Sequence, residues 1–300
     1  MATTSDTSTK IPLYARRTLG EKINAAIDFL RQNWRVALRF SIYMMLPLAL
    51  IQSGGMFTIV RSMSDDSFNN ETDLGVLSSM FLSLIVLCFT YTLILTLFQY
   101  YQGSSDGDLS MLTFRDVKSQ MWHNLKRVLK AMLPIIVIMA LSSLLVFFFL
   151  LLPFISLLVF LIYALLFFIL MIVPIHYVLE SVNLREAFNR CFSHASASWG
   201  NLFGLMFSMV LVVMIIQSVT GMPMLVFAFA TNSLSYSGTP TAALSVTRDI
   251  VLYLFIIVQT FFGYLSMSLV ITTLVYHYGS NAREQDDLAI ASDIDDFANL

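Results

Sequence analysis

From Ala131 to Leu179 the chain runs 49 residues without an Asp, Glu, Lys or Arg. At about 1.5 Å per residue this is over 70 Å of helix, more than twice the roughly 30 Å of hydrocarbon in a bilayer. Two crossings joined by a tight turn fit the run, and one crossing does not. Pro153 stands near its midpoint, with Pro134 and Pro174 lying 19 and 21 residues to either side. The expected hairpin has helices at about 132–151 and 155–175. The composition agrees. Of 300 residues, 57% are hydrophobic and only 12% charged, and the mean hydropathy is +0.77. The 36 charges could not cover a soluble surface over so much Leu, Ile, Phe and Met, and disorder is excluded by the same apolar excess. Two cysteines make neither a disulfide framework nor a Cys-rich metal module. A net charge of −2 argues against bulk nucleic-acid binding.

The remaining charge gaps place the other crossings. Phe40–Val60 holds one at about 37–58, and the gap between Asp73 and Asp106 holds one at about 76–99. Cys191–Thr247 holds one at about 201–220, and Ile250–Ala282 holds the last at about 250–276. The expected fold is an all-α polytopic bundle of six spans. A polar tail over 1–17 precedes a membrane domain over 18–280, and an acidic tail over 281–300 follows. Met222–Ala230 is too short to cross and is opened by Pro223, so it reads as a short interfacial or re-entrant helix.

Basic residues fix the expected orientation. Lys10, Arg16, Arg17, Lys22, Arg31, Arg35 and Arg39 precede the first span. Arg115, Lys118, Lys126, Arg127 and Lys130 follow the second, Arg185 and Arg190 the fourth, and Arg283 the sixth. These alternate segments hold 15 of the 17 basic residues, and the opposite loops hold only Arg61 and Arg248. Both termini are therefore expected on the cytoplasmic side of a bacterial inner membrane. The first outer loop is acidic, with Asp65, Asp66, Glu71 and Asp73. Met1–Thr9 is polar and no apolar stretch begins before residue 36, so no cleavable signal is expected.

An internal repeat underlies the spans. The three tryptophans, Trp34, Trp122 and Trp199, each stand just before an odd-numbered span. Before each lies an amphipathic stretch opened by a capping residue three positions ahead of an acid: Thr18 and Glu21, Thr113 and Asp116, Asn183 and Glu186. Leu19, Ile23, Ile27, Leu30 and Trp34 share one helical face, and Phe114, Val117, Met121, Leu125 and Val128 another. The third face is Leu184, Ala187, Phe188, Cys191, Phe192, Ala195 and Trp199. The expected unit is a cytoplasmic interfacial helix and two crossings, repeated three times. The sequence Asn-Leu-Arg-Glu-Ala-Phe-Asn-Arg-Cys-Phe (183–192), with Ser-Trp-Gly-Asn-Leu-Phe-Gly (198–204) opening a span, resembles a pattern in bacterial six-helix membrane proteins. These are related to the membrane domain found beside some glycerophosphodiester phosphodiesterases. The motif covers about 20 residues, and the shared topology about 15–285. The resemblance implies a membrane module without established catalytic residues. The His-Arg and Glu/Asp motifs of the soluble hydrolase domain are missing, so its activity does not transfer.

Chemistry inside the membrane usually announces itself by charged residues, and the spans have essentially none beyond Arg39 at an edge. A carboxylate proton relay is disfavoured. The last span is the most polar, and Gln259, Tyr264 and Ser268 form a candidate face for either helix packing or the path of a neutral solute. His123, His176, His194 and His277 all lie near the cytoplasmic ends. A four-His iron site would suit a histidine-dependent membrane oxygenase, a further alternative, but no two share a metal-binding spacing. His176 and Glu180 read as a local i, i+4 hydrogen bond. Zinc-protease and serine-elbow motifs are absent, as is a phosphate-binding glycine loop, and no cofactor is implied. The clearest clue is the basic stretch 113–130. Arg115, Lys118, Trp122, Lys126, Arg127 and Lys130 suit contact with anionic lipid or a protein partner, and topogenic positive charge accounts for much of the same pattern. The expected function is non-enzymatic: an accessory or organising membrane protein acting through its cytoplasmic face, with a facilitator of a lipid-like or small neutral solute as the alternative.

Overall fold

The computed structural model describes residues 10–64, 70–104, 107–149, 153–236 and 242–298. Among them there are eight helices and no strand. They are α1 (Leu19–Gln32), α2 (Trp34–Ser64), α3 (Asn70–Gly103), α4 (Phe114–Phe149), α5 (Pro153–Leu170), α6 (Val173–Leu179), α7 (Leu184–Tyr236) and α8 (Ala242–Ala298). Six stretches are long and apolar enough to cross a bilayer: Trp34–Ser62, Asp73–Gly103, Phe114–Phe149, Ile155–Leu179, Trp199–Thr231 and Val246–Glu284. The chain is an all-α, multi-pass membrane protein.

The three amphipathic stretches are built in two ways. The first is a helix of its own. Its Thr18 N–H donates to Glu21 Oε2 at 2.8 Å, and Asn33 leaves the helical conformation directly before Trp34. The second and third are the opening turns of α4 and α7, which run on into the spans. Thr113 caps α4, its N–H and hydroxyl both donating to Asp116 Oδ2, at 3.0 and 2.5 Å. In the third stretch Glu186 accepts from Arg190 at 2.5 Å instead of capping. No short separate helix forms at 222–230, because α7 continues through Pro223 to Tyr236.

The charge-free run supplies the latter part of α4 and all of α5, which pack together as the expected hairpin requires, with 150–152 of the turn outside the described residues. Pro153 takes the first position of α5, where its missing N–H costs nothing. The returning helix is broken at Met171–Ile172, ahead of Pro174. The Ile175 N–H turns to Ile172 C=O at 3.0 Å, which leaves Met171 C=O outside the ladder. Tyr91 OH donates to that carbonyl at 2.6 Å, and the Cys191 thiol donates to Ile169 C=O at 3.0 Å. Both side chains are buried, so the break is satisfied from α3 and α7 rather than by water.

The described chain divides into two compact units. One comprises residues up to Ala37, Tyr91–Ser208 and Leu269 onward, and the other Leu38–Thr90 and Met209–Ser268. The first is centred on aromatic rings. Phe29 of α1 stacks on Phe98 of α3 at 4.3 Å and meets Tyr101 edge-on at 5.0 Å and Tyr276 of α8 at 6.4 Å. All four are fully buried, and each such pair adds about 0.5–1.5 kcal/mol to the burial itself. Residues 10–17 lie along this unit rather than forming a tail. Lys10 Nζ donates to the carbonyls of Gln102 (2.6 Å) and Ser104 (2.8 Å), Ile11 N–H to Tyr101 OH (2.8 Å) and Arg17 N–H to Ser280 Oγ (3.2 Å). Leu13 is buried against Gly279, where a Cβ would stand 2.6 Å from the Leu13 carbonyl.

The second unit is packed by small residues. A Cβ on Gly75 of α3 would stand 2.3 Å from Thr58 Oγ1 and 2.9 Å from the Gly55 carbonyl of α2. Helices approach this closely in membranes through such small-residue crossings. Gln52 of α2 donates to Ser83 Oγ at 2.9 Å, and Arg61 faces Asp249 at 3.8 Å.

Candidate functional site

Arg115, Lys118, Trp122, Lys126 and Lys130 are all exposed and follow helical spacing along one side of α4. The opposite side is buried through Val117, Met121, Asn124, Leu125 and Val128. The basic stripe passes without interruption into an apolar one, Leu129, Leu133, Val137, Leu141 and Leu144, all exposed. α4 is about 54 Å long for its 36 residues, against roughly 30 Å of hydrocarbon. The helix therefore carries its basic turns out of the apolar layer along the line that faces lipid below. Trp122 is 60% exposed, and Lys126 Nζ lies 5.7 Å from its ring centroid. The other two tryptophans repeat the arrangement: Trp34 is 54% exposed with Arg35 over its ring at 5.6 Å, and Trp199 is 60% exposed.

Arg127 leaves this stripe. Its guanidinium donates to the Tyr177 carbonyl and to Ser181 Oγ (3.2 Å) and lies 4.6 Å over the Tyr177 ring. It ties α4 to the end of α6, where Ser181 has φ +55°. Helical spacing sets it about 120° round from Arg115, and the break before Pro174 brings its partners alongside.

The first unit also gathers buried ionisable groups that lie far apart in sequence. His176 Nδ1 donates to Glu180 Oε1 at 2.8 Å, and Arg190 reaches Glu180 Oε2 at 2.7 Å and Glu186 at 2.5 Å. Burial alone would raise the Glu180 carboxyl, but the His176 bond and charge, Tyr278 and Arg190 outweigh it and hold it at about 2. Lys22 Nζ donates to His277 Nδ1 at 3.2 Å, and the other ring nitrogen lies 3.2 Å from the Asn281 amide. Burial pushes the Lys22 ammonium down, with the Glu284 charge opposing. His176, His277, Cys191 and Asn281 share a cavity of about 10 Å³, room for about one water molecule. The Cys191 thiol is pushed up to about 12 by burial, so it stays protonated at neutral pH. His123 is exposed on α4, and the His194 side chain lies outside the described residues. Among the described residues, no three or more His, Cys, Asp or Glu are placed to hold a metal ion.

The polar face of the last span lies in the second unit. Tyr264 OH donates to Gln52 Oε1, and Ser268 Oγ to the Tyr264 carbonyl at 3.2 Å. Gln259 lies over Gly221 of α7, where a Cβ would stand 2.9 Å from its Nε2. Gln217 lies over Gly263 in the same way, at 2.7 Å. This reciprocal fit of amides over glycines joins α7 to α8. The partner glutamine was legible only through the antiparallel register of the two helices. Comparison with protein-family models, with curated proteins and with solved structures matches nothing.

Proposed function

We propose that this protein is a non-enzymatic, multi-pass protein of the bacterial inner membrane. On this reading both termini are cytoplasmic, and it organises anionic lipid at the cytoplasmic leaflet through α4. The observation that carries the reading is the exposed stripe Arg115, Lys118, Trp122, Lys126 and Lys130, continuous with the lipid-facing leucines of the same helix. Each Lys or Arg held near an anionic surface contributes about 1 kcal/mol, and tryptophan favours the headgroup layer. The 15-to-2 division of basic residues supports the orientation. The resemblance of 183–204 to a membrane domain without catalytic residues supports the absence of chemistry.

Headgroup selectivity tests this. The full chain is reconstituted in vesicles of phosphatidylcholine with or without phosphatidylglycerol, and bound lipid and the unfolding midpoint are measured. Wild-type protein retains phosphatidylglycerol in excess and unfolds at a higher temperature in its presence. A variant with Arg115→Gln, Lys118→Gln, Lys126→Gln and Lys130→Gln loses both effects and keeps its midpoint in phosphatidylcholine alone. Equal retention of the two lipids by wild-type protein rejects the proposal.

A further inference from the structure

A second feature of α4 has a different chemistry. A pocket of about 520 Å³ opens where the end of α3 meets the 107–113 loop and α4, within the roughly 300–1,000 Å³ typical of small-ligand sites. Gln99, Tyr100, Asp108, Leu109, Met111 and Gln120 are among its walls, and none of its lining residues is Lys, Arg or His. Gln120 stands about 140° round the helix from Arg115, away from the basic stripe.

The polar wall is fixed from behind. Asn124, only 1% exposed, donates to Thr96 Oγ1 at 2.9 Å and to Gln99 Oε1 at 2.8 Å. Gln120 Nε2 donates to Gln99 Oε1 at 3.0 Å and to Asn124 Oδ1 at 3.4 Å. Both hydrogens of the Gln120 amide and the Gln99 oxygen are thereby used. What remains is the Gln99 NH₂ as donor and the Gln120 oxygen as acceptor, on two residues that line the pocket. Asp108 adds a carboxylate that already accepts from Ser110 N–H (2.8 Å) and Oγ (2.9 Å). Tyr100 OH donates to the Asp116 carbonyl at 2.9 Å, which holds its ring as a wall.

This inventory selects a ligand class. An anion meets the Asp108 carboxylate, and the Lys10 ammonium, held on the Gln102 and Ser104 carbonyls, is not part of the lining. A cation finds the carbonyls at the end of α3 already taken, because Lys10 Nζ occupies Gln102 and Ser104. An apolar ligand leaves the Gln99 NH₂ and the Gln120 oxygen without partners and covers the free lone pairs of the Asp108 carboxylate. Neighbouring hydroxyls satisfy all three, since each can accept from Gln99 while donating to Gln120 or Asp108. We propose that this pocket binds a neutral, hydroxyl-rich group, a sugar or polyol, presented free or as a lipid headgroup.

The test uses the full chain in nanodiscs of phosphatidylcholine containing a minor fraction of monoglucosyl diacylglycerol, with bound lipid read by native mass spectrometry and methyl glucoside added as the free sugar. Wild-type protein retains the glucosyl lipid several-fold over its share of the bilayer or binds methyl glucoside. Competition by methyl glucoside assigns the site to the sugar alone, and retention without competition assigns it to the lipid-borne headgroup. Gly103→Leu adds bulk to the pocket lining at a position where a Cβ meets nothing within 4 Å. Gln120→Leu removes the acceptor. Both variants fall to background, and Gly103→Leu keeps the wild-type unfolding midpoint. Background binding of both probes by wild-type protein, or unchanged binding in Gly103→Leu, overturns the assignment. The phosphatidylglycerol selectivity of the basic stripe is unaffected by either variant, so the two proposals fail separately.

Discussion

In the first unit, helix ends are tied by rings and by ionisable groups: Phe29 on Phe98, Arg127 on Tyr177, Lys22 on His277, and Glu180 between His176 and Arg190. In the second, helices meet through glycines and neutral amides, with Gly55 against Gly75, Gln217 over Gly263 and Gln259 over Gly221. The contrast follows from the solvent each must satisfy. In hydrocarbon there is no hydrophobic drive between helices, so close backbone approach and neutral hydrogen bonds do the joining. A buried charge is tolerable only where partners or headgroups are within reach. The first unit contains the three tryptophans and 14 of the 17 basic residues.

The largest effect expected from breaking this division lies in the second unit. Gly75→Leu drives side-chain atoms into Thr58 and the Gly55 carbonyl, and overpacking of this kind costs about 3 kcal/mol or more. The adjacent Gly54 meets nothing within 4 Å, and Gly54→Ala changes stability by less than about 1 kcal/mol. Unfolding titrations in detergent compare the two, and equal effects would show that close approach is not what holds α2 to α3. Next comes Tyr91→Phe in the first unit. It strips the Met171 carbonyl of its hydroxyl and costs about 2 kcal/mol, with faster amide exchange across 169–176. A variant as stable as wild type would mean that the helix break needs no external donor.

The smallest effect is a pH dependence confined to the first unit. The Glu180 carboxyl sits at about 2 rather than its usual 4.5, so its ionised form stabilises the fold above that usual value. The contribution is lost as pH falls from about 4.5 toward 2. Glu180→Gln flattens this part of the stability profile and leaves the Gly75→Leu effect unchanged. An identical acid limb in wild type and variant would remove Glu180 from the network.

The hairpin and the six spans were legible because a run without charge admits few alternatives, and Pro153 marks its turn. The exposed members of the α4 stripe were legible from helical spacing. The partners of Arg127 were not, since Tyr177 and Ser181 lie 50 and 54 residues on and come alongside through the helix break at Met171–Ile172. Nor were the roles of Tyr91 and Cys191, whose targets are backbone carbonyls at the helix break, Met171 and Ile169. Residues 10–17 read as a polar tail because their partners, Tyr101 and Ser280, are distant in sequence and their bonds are mostly to backbone. Gln259 showed its polarity in the sequence but not its seat over Gly221, which requires the register of α7 against α8.

Sidedness tests the central claim most directly, because the charged turns of α4 can meet the anionic leaflet only from the cytoplasm. Single cysteines are placed at Ser119, exposed beside the stripe, and at Val246, exposed near the start of α8, in a background with Cys88→Ala and Cys191→Ala. A membrane-impermeant thiol reagent applied to intact cells labels position 246 and leaves position 119 unlabelled until the cells are opened. Labelling of position 119 in intact cells would contradict the orientation and, with it, the function assigned to α4.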